Sequence, residues 1–423
     1  EASVVLDQLG TAGLQIGGSL RVNGIARSFG ELIIDSSATL FGPAALTFAG
    51  PTEWRGLIEG TTLETVTVAP GVTLQTNSDF RDTPVLFGRT LFNDGTILLR
   101  VPLALDGNAE IRNNSVLNMV GTPVTAGGVY CLTPPMCGLL TNTSAASIQS
   151  SSLFSGPSAL LASDISVVNQ GTLLVSSGVL VLDSSFSAAT NSVLDVASGT
   201  GLRRTVGNLT VAGGNIRGEG VIDANVDVDL VSIRPAGTAA GNLGILGNFT
   251  ATSNTSFEMG VAGTTPPAIV RLGDSSAPRG GSSYDRLTIS GNATLNGTLH
   301  VVDLGYTATG SDVFDLLRYA SKTGTLFTGL NPYSGVGLNL QVEATRVRLA
   351  AAAGGGCEWN PAGLGSDDWT NAAKWNNCGS GVGPGPGPAG TPGATDIAIV
   401  GAGTVNLDVP VTVSQLQLTG GTI

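Results

Sequence analysis

The sequence predicts an all-β chain of short stacked strands, a β-solenoid, and three observations predict it. First, apolar alternations recur from end to end, as in Gly13-Leu-Gln-Ile-Gly-Gly-Ser-Leu-Arg-Val22, Leu63-Glu-Thr-Val-Thr-Val68, Gly171-Thr-Leu-Leu-Val-Ser-Ser-Gly-Val-Leu-Val-Leu182 and Gly291-Asn-Ala-Thr-Leu-Asn-Gly-Thr-Leu-His-Val-Val302. Period two with β-branched residues is a strand pattern, and the Gly, Asn and Asp clusters between the runs read as turns. Second, 61 glycines and 42% apolar residues accompany only 12% charged residues in a chain of 423, against about 25% charged in ordinary globular domains. So few charges exclude a disordered chain and long solvent-facing helices alike. Third, the chain repeats itself. Phe92-Asn-Asp-Gly-Thr-Ile-Leu-Leu99 and Val168-Asn-Gln-Gly-Thr-Leu-Leu-Val175 share the form apolar-Asn-x-Gly-Thr followed by three apolar residues, and Gly-Thr-Leu returns at Gly297 and Gly324.

Weak repeats of short strands mean a stacked architecture, a solenoid or a run of β-sandwiches. Connections without helices argue against α/β folds, whose parallel strands need helical crossovers. A parallel β-helix escapes that requirement, because each coil hydrogen-bonds to the next while inward Val, Leu and Ile stack. The one helix candidate, Asp312 to Tyr319, alternates nearly as well as a strand.

The order of segments follows from composition. Residues 1–350 read as the solenoid, which at about 20–25 residues and ~4.8 Å per coil makes a rod of about 70–80 Å. Ala350-Ala-Ala-Ala-Gly-Gly-Gly356 ends it, and residues 351–394 read as a Gly/Pro-rich linker with a small disulfide-closed Trp module holding Trp359, Trp369 and Trp375. The run Gly383 to Pro388 is neither helix nor central strand. Alternation resumes over 395–423, a strand region read as completing a neighbouring subunit. The alternations at Ser3–Leu9 and Leu418–Ile423 carry no polar capping coil, so both ends are expected to be templates for another chain or the cut edges of a longer one.

Charge and cysteine content bound the setting. The net charge is −12, and of nineteen basic residues only Lys322 and Lys374 are lysines. No basic run exists, so nucleic acid is not an expected partner, and neither are anionic lipid surfaces. No apolar stretch reaches the length of a membrane-spanning helix. The start at Glu1 without Met fits a mature product that has lost its signal peptide, or a cloned or proteolysed fragment. Four cysteines allow three pairings, of which the local ones, Cys131 with Cys137 and Cys357 with Cys378, close the shortest loops. Zinc is the rival, but neither spacing is CxxC and the only histidine, His300, is distant. Two structural disulfides imply an oxidising, extracellular or cell-surface location.

The stretch from about 165 to 350 resembles the distal part of autotransporter-type passenger domains and related large bacterial adhesins. The ordered phrases are Asn169-Gln-Gly-Thr-Leu-Leu-Val-Ser-Ser-Gly-Val-Leu180, Val211-Ala-Gly-Gly-Asn-Ile-Arg-Gly-Glu-Gly-Val-Ile222, the run from Ile233 to Thr250, the run from Tyr284 to Leu299, and Asp312-Val-Phe-Asp-Leu-Leu317 to Thr323-Gly-Thr-Leu-Phe327. The resemblance implies a right-handed parallel β-helix, secretion and a surface role. It departs after residue 350, where such proteins often lead to an outer-membrane barrel and this chain leads to the Trp module. Residues 1–165 match in general style alone.

Catalysis has little to work with. His300 stands alone in a strand-like run, so HExxH zinc sites are excluded, and no GxSxG elbow accompanies it. Asp223, Asp227 and Asp229 alternate, which suits a solvated outer face, a carboxylate cluster of a polysaccharide-cutting β-helix or a calcium site. No EF-hand or phosphate-loop spacing is present. Seven Asn-x-Ser/Thr sequons stand at Asn113, Asn142, Asn208, Asn248, Asn254, Asn292 and Asn296. Three Trp beside a disulfide suit the core of a small domain, or else a carbohydrate platform. No catalytic, cofactor or metal residue is therefore assigned, and three functions stay open. They are a non-enzymatic fibre or surface-layer subunit binding copies of itself head to tail, the stalk of a monomeric adhesin meeting host surface or glycans, and a polysaccharide-degrading β-helix enzyme.

Overall fold

The computed structural model describes residues 13–23, 26–61, 63–77, 83–121, 127–134, 137–152, 157–237, 239–267, 282–307, 312–324, 327, 329–331 and 338–351, then 357–359, 366–368, 375–376, 397–400, 404–407, 410 and 415–418. No helix occurs among them. They form two compact units: Glu1–Leu304 with Leu316–Asn331 and Ala344–Arg346, and Gly305–Asp315 with Pro332–Glu343 and Val347–Ile423.

The first unit is a parallel β-helix. Every third strand in chain order is hydrogen-bonded to the next, so three faces rise together, coil on coil. The first face has fourteen strands, from Leu14–Ile16 through Thr73–Thr76 and Thr96–Leu99 to Gly329–Asn331. The second face starts at Ser19–Arg21 and rises in the same way through Arg286–Ile289 to Leu316–Arg318, the end of the strand Val313–Arg318. Within the second unit Leu338–Val342 pairs antiparallel with Val347–Ala351, from Leu338 opposite Ala351 to Val342 opposite Val347. The third face is two sheets in succession, eight strands from Ala26–Phe29 to Ser185–Ala188 and five from Leu209–Ala212 to Ser321–Thr323. Tandem sandwiches, the rival architecture, lack such parallel ladders.

Alternation produces this core directly. On the first face Leu74, Ile97, Leu117, Ile148, Leu173 and Leu194 align in register, each at most 2% exposed. Like side chains thus stack at the ~4.8 Å strand spacing and exclude water along the whole axis. Fourteen strands at that spacing span about 62 Å. Several coils spend residues between strands, the longest such interval in the first unit running from Val261 to its antiparallel bridge partner Tyr284. The helix candidate is the strand Val313–Arg318, with Phe314, Leu316 and Leu317 fully buried. Strand won because neighbouring coils supply its backbone partners.

The repeated Asn-x-Gly-Thr phrase has a physical meaning. Asn93, Asn113, Asn142 and Asn169 occupy one register position at the corner between the third and first faces, each at most 1% exposed. Asn93 Nδ2 donates to Asn113 Oδ1 (2.6 Å), Asn113 to Asn142 (2.8 Å) and Asn142 to Asn169 (2.7 Å). Each Nδ2 also donates to a turn carbonyl of the following coil, as Asn142 does to Thr172 O at 3.1 Å. The glycine two residues on lets the turn approach the coil beside it. A Cβ at Gly171 would collide with the Ala146 and Thr143 carbonyls.

The second unit also pairs strands in parallel. Cys357–Trp359 lies beside Ile397–Val400, which lies beside Gln415–Leu418, and Ser366–Asp368 lies beside Thr404–Asn406. Trp375–Asn376 joins the first sheet antiparallel. Strands from the Trp segment and from the following segment therefore share one sheet, over a core that includes Ala398, Val400 and Val405.

Candidate functional surface

The described cysteines come first. Cys131 and Cys137 form a disulfide with a Cα–Cα distance of 5.3 Å, inside the ordinary range. Thr133, within the loop it closes, donates its hydroxyl to Asp106 Oδ2, and Cys137 bridges to the Asp106 backbone. The loop is thereby held to the corner of the coil beneath. Both sulfurs lie within 4.8 Å of the Asp164 carboxylate, but sulfurs bonded to each other are not thiolate ligands. Cys378 and Trp369 lie outside the described residues, and Cys357 and Trp375 are placed by backbone alone. Trp359 is 4% exposed, so its ring packs as core.

The acidic alternation separates onto two faces. Asp223 ends a second-face strand and pairs with Arg203 (2.8 Å), while Asp227 and Asp229 belong to the third-face strand Val226–Asp229. Asp227 accepts from Asn208 Nδ2 (2.8 Å), and Asp229 accepts from Thr252 and from Asn254 Nδ2 (3.1 Å). Those donors hold the Asp229 carboxyl below its ordinary pKa, the Thr252 hydroxyl first. Each carboxylate ties its coil to a neighbouring one. His300 stands half-buried on the outward row of the first face, between Glu258 and Asn331 in register. Glu258 in turn accepts from Ser232 Oγ (3.0 Å) and faces Arg234 at 3.7 Å. No serine, histidine and carboxylate line up as a nucleophile with its base among the described residues. A groove of about 190 Å³ over Glu31, Ile33, Glu53, Thr73 and Gln75 falls below the volume of small-molecule pockets.

The sequons divide by burial. Asn208, Asn248 and Asn254 are exposed and Asn292 and Asn296 half-buried, whereas Asn113 and Asn142 are rungs of the sealed ladder. Folded chain secreted from a glycosylating host is expected to carry no glycan at Asn113 or Asn142. Peptide mass spectrometry showing occupancy at either would contradict the ladder.

One titratable group escaped sequence reasoning. Asp285 immediately precedes the second-face strand Arg286–Ile289, where the chain returns from its largest excursion, and it is 1% exposed. Its carboxyl accepts from Gly241 N (2.9 Å) and Gly260 N (2.7 Å), fastening the neck of the excursion to two other stretches of backbone. Burial pushes its pKa up to about 7 despite those two donors and Arg234, with Glu219 adding to the rise. A folded pKa above the unfolded one stabilises the fold fully below about pH 4, and this stability is lost as pH rises through about 7. The neck amides of Gly241 and Gly260 are expected to lose hydrogen-exchange protection between pH 5 and 8. Asp285→Asn should remove that dependence, and unchanged protection across the range would refute the assignment. Nothing in the local sequence, an acid before an alternating run, marks this residue.

No protein-family model and no curated protein sequence matches the chain. What the fold and the surface define is a class: an all-β parallel β-solenoid with a disulfide-held loop, whose polar side chains are largely committed to joining successive coils.

Proposed function

We propose that this chain is a non-catalytic structural subunit of an extracellular fibre or surface layer, joined to further copies head to tail by strand addition. The observation that supports this best is the parallel edge. Gln415–Leu418 is the outermost described strand of its sheet, with Leu416 43% exposed, and Leu14–Ile16 is the outermost described strand of the first face, residues 1–12 lying outside the described residues. Unpaired backbone groups along such edges are templates for another strand. The disulfide agrees with an oxidising, extracellular setting.

A second reading, the stalk of an autotransporter-type adhesin meeting host surface or glycans, is favoured by one observation. Parallel coil-to-coil pairing occurs in both units of the chain, as in a series of solenoid segments. Sedimentation velocity over a hundredfold concentration range separates the two. The fibre reading expects growing linear species, and a single concentration-independent monomer overturns it in favour of the stalk. Release of reducing ends from a polysaccharide panel would overturn both.

A further inference from the structure

The corner loop Cys131-Leu-Thr-Pro-Pro-Met-Cys137 follows the strand Gly127–Tyr130, and its ends are fastened to the coils on either side. On one side Thr133 donates its hydroxyl to Asp106 Oδ2, Cys137 bridges to the Asp106 backbone, and Leu139 N donates to Ala109 O (3.0 Å). On the other, Ser166 N donates to Gly138 O (3.2 Å), directly after the turn that Ile165 N closes on Ala162 O (3.3 Å). That turn carries Asp164, whose carboxylate lies within 4.8 Å of both sulfurs. Cys131 is 7% exposed, and Cys137 and Asp164 are half-buried. The Asp164 carboxylate has no hydrogen-bond or ion-pair partner among the described residues.

We propose that the reduced loop is a binding site for a thiophilic divalent cation, zinc foremost, held by the thiolates of Cys131 and Cys137 and by the Asp164 carboxylate. Two sulfurs and a carboxylate oxygen are a zinc-type ligand set, and three protein ligands leave a fourth position for water. Bonds of about 2.3 Å to sulfur and about 2.1 Å to oxygen set tetrahedral ligand atoms ~3.5–3.8 Å apart. The sulfurs therefore part and the carboxylate closes in, while the backbone ties on both sides keep the three groups together. A dithiol reductant opens the site: it becomes a disulfide itself and hands two electrons and two protons to the sulfurs. The cation then displaces both thiol protons and gains two metal–sulfur bonds. Without a cation, two thiolates beside a carboxylate would be three like charges in contact, so the reduced loop holds either protons or a metal. The corner is closed by a covalent bond in an oxidising setting and by a metal in a reducing one.

The test uses the full chain carrying Cys357→Ser and Cys378→Ser, which leaves this loop as the only source of thiolates. It is reduced with a phosphine and titrated with Co2+, a coloured stand-in for zinc. One Co2+ per chain should bind with thiolate-to-metal charge-transfer absorption, absent before reduction and bleached by Zn2+. Asp164→Asn should weaken binding by about tenfold or more, since losing a ligand costs at least as much as losing an outer partner, while both thiols remain titratable. Cys131→Ser should abolish the absorption. In the zinc-loaded chain the Leu139 amide should show the hydrogen-exchange protection it has in the oxidised chain. Should the double serine variant fail to fold, the wild type and Asp164→Asn are titrated alike and should differ in their affinity for one Co2+ per chain. A folded, reduced chain with titratable thiols and no thiolate absorption overturns the site. So does absorption whose affinity Asp164→Asn leaves unchanged.

Discussion

Arg89→Leu is expected to destabilise the early coils by about 3–5 kcal/mol, the cost of breaking a buried charged network from one side. Arg89 is fully buried at the corner between the second and third faces. Its guanidinium donates to Glu59 O (2.8 Å), Ala44 O (3.1 Å), Thr65 O (3.4 Å) and Gly42 O, so one side chain joins its own coil to two preceding ones. Burial pulls its pKa below the ordinary value and Glu64, 4.0 Å away, pulls it back. The lack of a side chain at Gly60 makes the room: a Cβ there would stand 2.8 Å from Arg89 Cγ. Leucine would fill part of that volume while removing the donors that Arg89 gives to four carbonyls, and a buried carbonyl left unpaired costs about 1–3 kcal/mol. Arg89→Lys keeps the charge but offers a point rather than a fork, so it should recover less than half of the loss. Long stacked arrays unfold in parts, so the measurement is local. Hydrogen exchange over residues 42–66 should accelerate in both variants, and protection equal to wild type would show that the network does not hold these coils.

Asn142→Ala should cost about 2–4 kcal/mol, because it removes an interior rung and takes a hydrogen bond from the rungs on both sides. Asn113 Nδ2 loses one acceptor and keeps Ser147 O (2.9 Å), while Asn169 Oδ1 and Thr172 O lose the Asn142 donor. Asn142→Asp, nearly the same shape, is expected to be worse at neutral pH, since it sets a carboxylate against the acceptors Asn169 Oδ1 and Thr172 O in a sealed site. Asn93 heads the ladder with an Oδ1 that has no donor among the described residues, so Asn93→Ala should cost less than Asn142→Ala. Chemical denaturation followed by hydrogen exchange in the strands Leu139–Asn142 and Ser166–Asn169 ranks the three. Equal losses at Asn93 and Asn142 would mean that the rungs act singly rather than as a chain.

The fold was legible where the chemistry is local. Alternation marks strands because one face of each must be dry, and the repeated Asn-x-Gly-Thr phrase falls on two of the four ladder rungs, Asn93 and Asn169. What the sequence hides is which coil meets which. Arg89, in Phe87-Gly-Arg-Thr90, looks like a solvated turn residue, and only the stacking of three coils brings four carbonyls around it. Lys322 looks like an ordinary strand charge until register places it in line with Ala293. Asp223, Asp227 and Asp229 alternate in the chain, yet a coil corner falls between the first and the other two. Excursions such as the one between Val261 and Tyr284 break the coil period that would otherwise reveal these alignments.

Electron microscopy of the purified full chain over a concentration series tests the structural reading most directly. The account predicts elongated particles that join end to end into filaments as concentration rises, with a repeat of ~4.8 Å along the long axis from coils stacked in that direction. Compact particles without an axial ~4.8 Å repeat at every concentration would contradict both the solenoid and the role proposed for it.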